Sequence, residues 1–483
     1  MAQPKRKATL FAVCAALLWL VVLAAAVIPA HGQIITASLE GTIQDGTGSV
    51  IPNASLNVVN TSTGVVSHAV SDASGRFVVA SLAPGGPYQI TVEAVGFKTE
   101  VRSGIYLSVN QNAEVPVTMQ IGAATQKVEV IADATQLETS NAAMGQVIGN
   151  RNVANLPLNQ RNVYSLMFLM PGVTGSVTVQ YNSLNMSVDG GRPGSTNVLV
   201  DGIPASPPLV NPIGGFAVFP SVDAVQEFKV ESNGYSAEFG RSGSGIVNVI
   251  LKSGTNQLHG SLYEFLRNSD LDSNTYFADA AHTPLPHFER SQFGGSVAGP
   301  VMFPRLYNGK DKTFFLFSYE GLRQGTQSEV TTTVPTALQR MGDFSQTFNA
   351  SCAQVVIYDP ATTIASGSGY VRQPFPNNKI PTSPSRIDPV AAQIVNYYPT
   401  QTQAGASCTG VNNFFAAGVT KLNIDTYDAK VDEVINDKNR LFVRYSRRNL
   451  QQPPTLLFPK AQQIAEGGNS EPQISNSAAI DYT

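Results

Sequence analysis

From residue 258 onwards the chain is written in a two-residue rhythm: apolar and polar side chains alternate over stretches long enough to cross a bilayer as tilted β-strands, which takes about 9 to 11 residues. Residues 258–268 set Tyr263 and Phe265 against Glu264 and Asn268, and residues 289–299 set Phe293 and Val297 against Arg290, Gln292 and Ser296. In residues 313–323, Phe315, Phe317 and Tyr319 oppose Ser318 and Glu320, while Phe314 and Leu316 interrupt the polar side. Further on, Thr426, Asp428, Lys430 and Asp432 alternate with Tyr427, Ala429 and Val431. After a turn at 436–439, Arg440, Arg444, Ser446 and Arg448 alternate with Leu441, Val443 and Tyr445, Phe442 being the exception. Acidic residues on one strand and basic ones on the next suit a wet face shared by a hairpin. A sixth strand begins near 474–483.

The links between these strands run to roughly twenty, twelve, one hundred, four and at least twenty-five residues, the alternation of long loops and short turns expected of an outer-membrane barrel. Upstream the rhythm changes. Residues 34–122 carry short alternating runs at 37–44, 54–60, 64–70, 76–81, 88–94 and 113–119, separated by turn sequences such as Asp45-Gly46-Thr47-Gly48 and Asp72-Ala73-Ser74-Gly75. That spacing predicts a small β-sandwich. Residues 126–132, Gln126-Lys127-Val128-Glu129-Val130-Ile131-Ala132, form one more short strand between polar linkers, either the last strand of the sandwich or an edge that a second chain captures by strand addition.

Residues 133–257 mix both periods. A helix is expected around 163–167, stopped by Pro171-Gly172, and a strand at 197–204 turns at Asp201-Gly202. In 225–256 a short strand at Phe228 and Val230 is followed by Gly234, Gly240, Gly243 and Gly245, expected to supply unusual backbone angles and to let the backbone pack tightly against something else, and then by the β-branched run Ile246, Val247, Val249, Ile250. The N-terminal 33 residues read as a signal peptide: Lys5-Arg6-Lys7, an uncharged run at 8–30, and Ala30-His31-Gly32 before a cleavage site after residue 32. The run is also long enough for an uncleaved anchor.

Composition narrows this further. Only 13% of the 483 residues are charged and the net charge is −3, so nothing argues for nucleic acid; 41 glycines and 30 prolines favour an all-β protein. Of three cysteines, Cys14 lies in the leader, leaving Cys352 and Cys408 as a pair that an exported chain would bridge, with two free thiols as the alternative. The five histidines form no HxxE, HExxH or Cys/His cluster, no GxSxG elbow occurs, and no phosphate-binding glycine motif can be read, so no catalytic or metal role and no cofactor is expected.

Residues Glu227, Val230, Gly234, Tyr235, Ser236, Gly240, Gly245, Ile246, Val247, Asn248, Ile250 and Lys252 resemble the end of the plug domain of TonB-dependent outer-membrane receptors. Residues 34–122 resemble the carboxypeptidase regulatory-like domain through Gly41, Asp45, Gly48, Ile51-Pro52, Ala54, Asp72, Gly75, Phe77, Leu82, Pro84-Gly85, Tyr88 and Gly96-Phe97. A sandwich preceding a plug is the order found in the Oar-like branch. The resemblance implies a mainly β protein: a signal peptide (1–32), the sandwich (34–122), a linker with a candidate TonB box (Lys127, Val128, Glu129, Val130, Ile131, Ala132 within 123–132), an α+β plug (133–257) and the first strands of an incomplete transmembrane β-barrel (258–483). Asp201, Gly202, Gly234, Tyr235, Gly240, Gly245 and Asn248 are then plug-motif residues, and Cys352 and Cys408 bridge an extracellular loop. Expected partners are a TonB-type energy-transducing protein, outer-membrane lipid and a small-molecule, glycan or peptide ligand. Five strands and the start of a sixth fall short of the ~22 that close a plugged transporter, so the chain is expected to be the N-terminal part of a longer protein. An outer-membrane adhesion or structural protein and a secreted carbohydrate-binding accessory protein are the rival readings.

Overall fold

The computed structural model describes residues 36–123, 127–131, 144–156, 158, 161–178, 183–192, 194–205, 218–235, 239–240, 242–382, 385–437, 439–460, 462–463 and 472–483. The expected signal peptide lies outside them, as do Ala132 and most of the segment joining the sandwich to the plug.

The first unit is a two-sheet sandwich. β1 (Ala37–Asp45) pairs with β4 (Arg76–Leu82), and parallel with β7 (Asn112–Glu114) and β8 (Val117–Met119). The second sheet has the order β3 (Val66–Val70), β2 (Ser55–Asn60), β5 (Gly85–Glu93), β6 (Thr99–Leu107) and β9 (Lys127–Ile131). Leu39, Ile43, Leu56, Val58, Ile90, Val92 and Ile105 fill the space between the sheets, and Tyr88 is buried with its hydroxyl donating to Ala83 O at 2.7 Å. β6 is absent from the sequence reading. Gly104, with φ +82°, interrupts its alternation, and buried Glu100 breaks its apolar face.

The plug is built on a sheet of order β10 (Met144–Gly149), β15 (Val225–Asn233), β16 (Gly245–Leu251), β13 (Thr196–Val200), β14 (Ile203–Pro204), with a hairpin of β11 (Val173–Thr178) and β12 (Ser183–Val188) beside it. All seven residues of β16 are buried, as a β-branched run in the middle of a sheet requires. The helix expected around 163–167 is a 3-10 helix, Val163–Leu169, capped by Asn162, whose side chain accepts from Tyr164 N. Val163, Tyr164, Leu166 and Met167 are all buried, so the segment is packed on more than one side, with Leu169 at its end exposed. Of the four glycines between β15 and β16 only Gly234 has positive φ (+66°). Gly245 acts through close approach instead: a Cβ there would lie 3.1 Å from both Glu231 O and Val188 Cγ1.

The third unit is one antiparallel sheet of six strands in sequence order: β17 (His259–Asn268), β18 (Phe288–Pro300), then, after the small hairpin β19 (Met302–Phe303) and β20 (Tyr307–Asn308), β21 (Thr313–Thr332). A loop carrying β22 (Ile364–Ser366) and β23 (Gly369–Val371) follows, then β24 (Phe414–Val434), β25 (Arg440–Gln451) and β26 (Gln473–Tyr482). Among the described residues the sheet is open. β21 and β24 are 20 and 21 residues long and stay paired out to Thr332↔Phe414, so the link expected at 324–423 is only 333–413 and the hairpin extends well past the length a bilayer needs. Cys352 and Cys408 are joined within that loop, their Cα atoms 5.1 Å apart.

Candidate functional site

The two faces of the six-stranded sheet have different partners. Leu262, Phe317, Val431, Val443, Tyr445 and Ile480 point outward and stay exposed. Phe293, Tyr319 and Tyr427 form an aromatic row across three strands, with centroid separations of 6.2 and 5.0 Å. The other face meets the plug. Here the sequence reading of β17 is reversed: Tyr263 and Phe265 face the plug, and Leu262 and Leu266 face outward. The apolar exceptions noted on the polar face of β21 and β25 are also explained. Leu316 joins the hydrophobic core of the plug together with Ala298, while Phe314 and Phe442 line a cavity at the junction of sandwich, plug and sheet, with the Lys430 ammonium 4.9 Å from the Phe442 centroid.

At the centre of this contact lies Asp201, the first residue of the Asp-Gly turn between β13 and β14. Asp201 and Gly202 both have positive φ (+48° and +72°), the requirement of a tight two-residue hairpin. The Asp201 side chain is fully buried; its Oδ1 accepts from Leu251 N at 3.0 Å and from Lys430 Nζ at 3.2 Å, and its Oδ2 lies 3.4 Å from Arg444 Nε. The register makes the reason plain. Lys430 and Arg444 are direct cross-strand partners, two like charges opposite one another on the inner face, an arrangement that is destabilising by itself. The plug carboxylate is the counter-ion for both. The expected acid-to-base pairing across this hairpin is therefore corrected: Asp428 opposes Ser446, which donates to it at 2.6 Å, and both cations pair with Asp201 of the plug, Lys430 also lying 3.8 Å from Asp432 on its own strand. Asn248, another of the motif residues, reaches Gly202 N with its Oδ1 at 3.4 Å and so steadies the same turn.

A second contact is centred on Arg161. Its guanidinium pairs with Asp223, lies 3.7 Å from Glu320, and stacks over Tyr263 and Phe265 at 4.3 and 4.5 Å. Glu320 also accepts from Tyr263 and Gln292 at 2.7 and 2.9 Å. Ser221 and Ser318 complete the seam at 2.6 Å. Arg192, the other described arginine considered for the wall, is exposed; the side chain of Arg151 lies outside the described residues. Of the remaining motif residues, Tyr235 donates to Ser242 O at 3.2 Å and packs on Phe239, Leu199 and Ile246, and Gly240 has nothing within 4 Å of its missing Cβ. These hold the plug together and do not touch the wall.

The sandwich is tied to the plug by side chains that sequence reasoning missed. Glu227 accepts from Val109 N, and Lys229 Nζ donates to Val109 O at 3.3 Å while pairing with Glu231 at 3.0 Å. Asn256, at the end of the plug, donates to Thr63 O at 2.8 Å from its side chain and to Ser62 O at 3.0 Å from its backbone, and accepts from Asp311 N at 2.8 Å. Alternation along β15 would have flagged Glu227, Lys229 and Glu231 as a polar face, without naming what covers it.

Burial pushes the Glu227 carboxyl up to about 7, against the stabilising pull of Val109 N–H and Lys229. A raised acid pKa means that this contribution to docking is fully present below the ordinary value near 4.5 and is lost as pH rises through about 7. Sandwich–plug docking should therefore weaken across that window, by roughly 3 kcal/mol at most, and Glu227→Gln should flatten the profile. Hydrogen exchange at residues 105–115 as a function of pH measures this.

Residues 250–483 match the outer membrane beta barrel domain family, and residues 38–120 match the carboxypeptidase regulatory-like domain family. The chain is 26% identical over 286 residues to the TonB-dependent transporter Oar of Myxococcus xanthus, covering 56% of this chain and 26% of that protein. It is 25% identical over 240 residues to the probable TonB-dependent siderophore receptor PirA of Acinetobacter baumannii, covering 46% of this chain and 30% of that one. The chain thus spans about a quarter to a third of the length of these relatives. Among solved structures it is similar to the outer membrane transporter YddB of Escherichia coli, at 13% identity and a TM-score of 0.41, over 70% of this chain and 36% of that one.

Proposed function

We propose that the chain, which matches an outer-membrane β-barrel family and a carboxypeptidase regulatory-like family and is similar to TonB-dependent transporters, belongs to the TonB-dependent outer-membrane receptors and forms the gated part of a ligand transporter: a plug seated against the barrel wall and unseated by a pull from a TonB-type periplasmic partner. The signal peptide at 1–32 exports the chain, the long loops, including 333–413, face the outside, and the sandwich lies on the periplasmic side. Ligand binds the loops and the plug apex, and the segment around Val128 is the handle. No cofactor is needed in this scheme, since the work comes from the energised inner membrane.

The observation that carries the reading is the chemistry of the seam. Apart from Ala298 and Leu316, which pack on the plug core, the plug meets the wall through Asp201 with Lys430 and Arg444, Arg161, itself paired with Asp223 of the plug, with Glu320, Tyr263 and Phe265, and Ser221 with Ser318. Such contacts exchange for water when the two surfaces part, whereas a continuous apolar core would resist separation far more strongly.

Deleting residues 126–132 from the full-length protein is expected to abolish energy-dependent uptake and leave ligand binding at the cell surface intact. Growth on a limiting ferric siderophore, cobalamin, glycan or peptide, each offered separately, reads uptake, and retention of the same compound by de-energised cells reads binding. Unchanged uptake after the deletion would remove the handle from the scheme. Uptake that survives de-energisation of the intact protein would favour a passive anchor.

A further inference from the structure

Lys127–Ile131 is a strand of the sandwich: β9 runs parallel to β6, in register from Thr99↔Lys127 to Ser103↔Ile131. It is also the last strand of its sheet, so one of its edges is unpaired among the described residues. We propose that the sandwich presents this segment to the periplasmic partner as a preformed sheet edge, and that the partner adds a strand there without displacing β9 from β6. The inference rests on the reading of residues 127–131 as the handle.

Three observations support addition in place. Thr99, Glu100 and Val101, the β6 residues opposite Lys127–Glu129, are 4%, 3% and 7% exposed, so stripping β9 away would uncover a buried row that includes a carboxylate. Fixing a residue as strand costs ~1–2 kcal/mol of backbone entropy, and over these five residues the sandwich has already met that cost, which favours capture of the edge as it stands. Beside the strand runs a groove of 590 Å³ lined by Asp45, Thr47, Glu100, Arg102, Ile121 and Val128, among others. Ile121 is 77% exposed there, an apolar side chain available to a partner that lies along the edge.

The charges in and beside the groove indicate the occupant's chemistry. Glu100 and Arg102 pair with each other at 3.5 Å. The Asp45 carboxylate is held by Thr47 and the Ser49 amide, and Glu129 is exposed; among the described residues neither has a cationic partner. Beside Asp45 and Glu129 the unmatched charge is acidic, whereas Lys98, whose side chain lies over Gly122 next to Ile121, is cationic. The occupant is therefore an extended strand of a periplasmic protein that places lysine or arginine beside Asp45 and Glu129 and an apolar side chain against Ile121, a case of strand addition with side-chain selectivity.

The test staples β9 to β6. Val101→Cys with Glu129→Cys places cysteines at a register pair; the full chain, oxidised or reduced, is titrated with the purified periplasmic domain of the host's TonB-type protein. The unsubstituted chain, treated identically, controls for the Cys352–Cys408 bridge. The oxidised staple should bind within about twofold of the reduced form, Ile121→Asp should weaken binding at least about fivefold, and Val130→Pro, which removes a backbone donor from the strand, at least about tenfold. Binding lost on oxidation and regained on reduction would show that β9 must leave the sandwich, overturning the inference while keeping the handle. Unchanged binding in Ile121→Asp would exclude the groove from the footprint. Equal binding by Val130→Pro and the unsubstituted chain would sink the handle itself.

Discussion

Asp201→Leu should release the plug from the wall. The substitution leaves Lys430 and Arg444 buried and facing each other on adjacent strands without the carboxylate that now lies between them, Lys430 keeping only Asp432 at 3.8 Å. Removing one member of a buried ion group costs about 3 to 5 kcal/mol, because the remaining charges stay desolvated. Hydrogen exchange in Thr196–Val200 and Gly245–Leu251 should accelerate by about 100-fold or more, at 1.4 kcal/mol per factor of ten. Asp201→Asn, which keeps an acceptor for Leu251 N and discards the charge, should fall between the two. Combining Asp201→Leu with Lys430→Met and Arg444→Met should recover much of the loss, since replacing a whole buried ion group by apolar side chains is frequently neutral. Protection of the single Asp201→Leu variant equal to that of the unsubstituted protein would mean that the carboxylate does not hold the plug.

Gly254→Val should be comparably severe for a steric reason. A Cβ at Gly254 would collide with Gly299 O, and would lie 2.8 Å from Gly299 N and from Phe315 O, all backbone atoms of the wall. β18 and β21 are paired there, Gly299 with Phe315, so the obstruction cannot rotate away as a side chain would. The chain leaving the plug would have to move off the sheet, costing about 3 kcal/mol or more. Gly240→Val is the matched control: nothing lies within 4 Å of its Cβ position and its φ is not positive, so a change within about 0.5 kcal/mol is expected. Thermal unfolding of the two variants in the same detergent separates these outcomes.

How far the sequence could be read depended on whether a residue's partner is local. The period-two alternation of 427–431 and 441–445 needs only one apolar and one polar surrounding, and the strands found there follow it. The Asp-Gly turn at 201–202 was legible because its backbone angles are a local demand. The role of Asp201 was not legible, since it depends on two cations more than 200 residues away that become neighbours only when the register is known. Phe314, Leu316 and Phe442 looked like defects in a polar face for the same reason: the surface that buries them belongs to another unit. β6 was missed because its alternation is broken by Gly104 and by a buried Glu100, and without β6 the segment 127–131 had no visible neighbour. The crowding of glycines before β16 signals a backbone packed tightly against something else, and at Gly245 that is the constraint, space and not dihedral angle.

The central claim is that the six-stranded sheet separates two solvents, with the plug on one face and lipid on the other. Nitroxide labels placed singly at Ala429, Val431, Val443 and Ile480 of the full-length protein in outer-membrane vesicles test it, with labels at Val70 and Val78 on the exposed surface of the sandwich for reference. The four sheet positions should relax mainly by collision with oxygen dissolved in the bilayer, and the two sandwich positions mainly by collision with a water-soluble nickel chelate. Chelate-dominated relaxation at all six would place the outer face of the sheet in water and contradict the account.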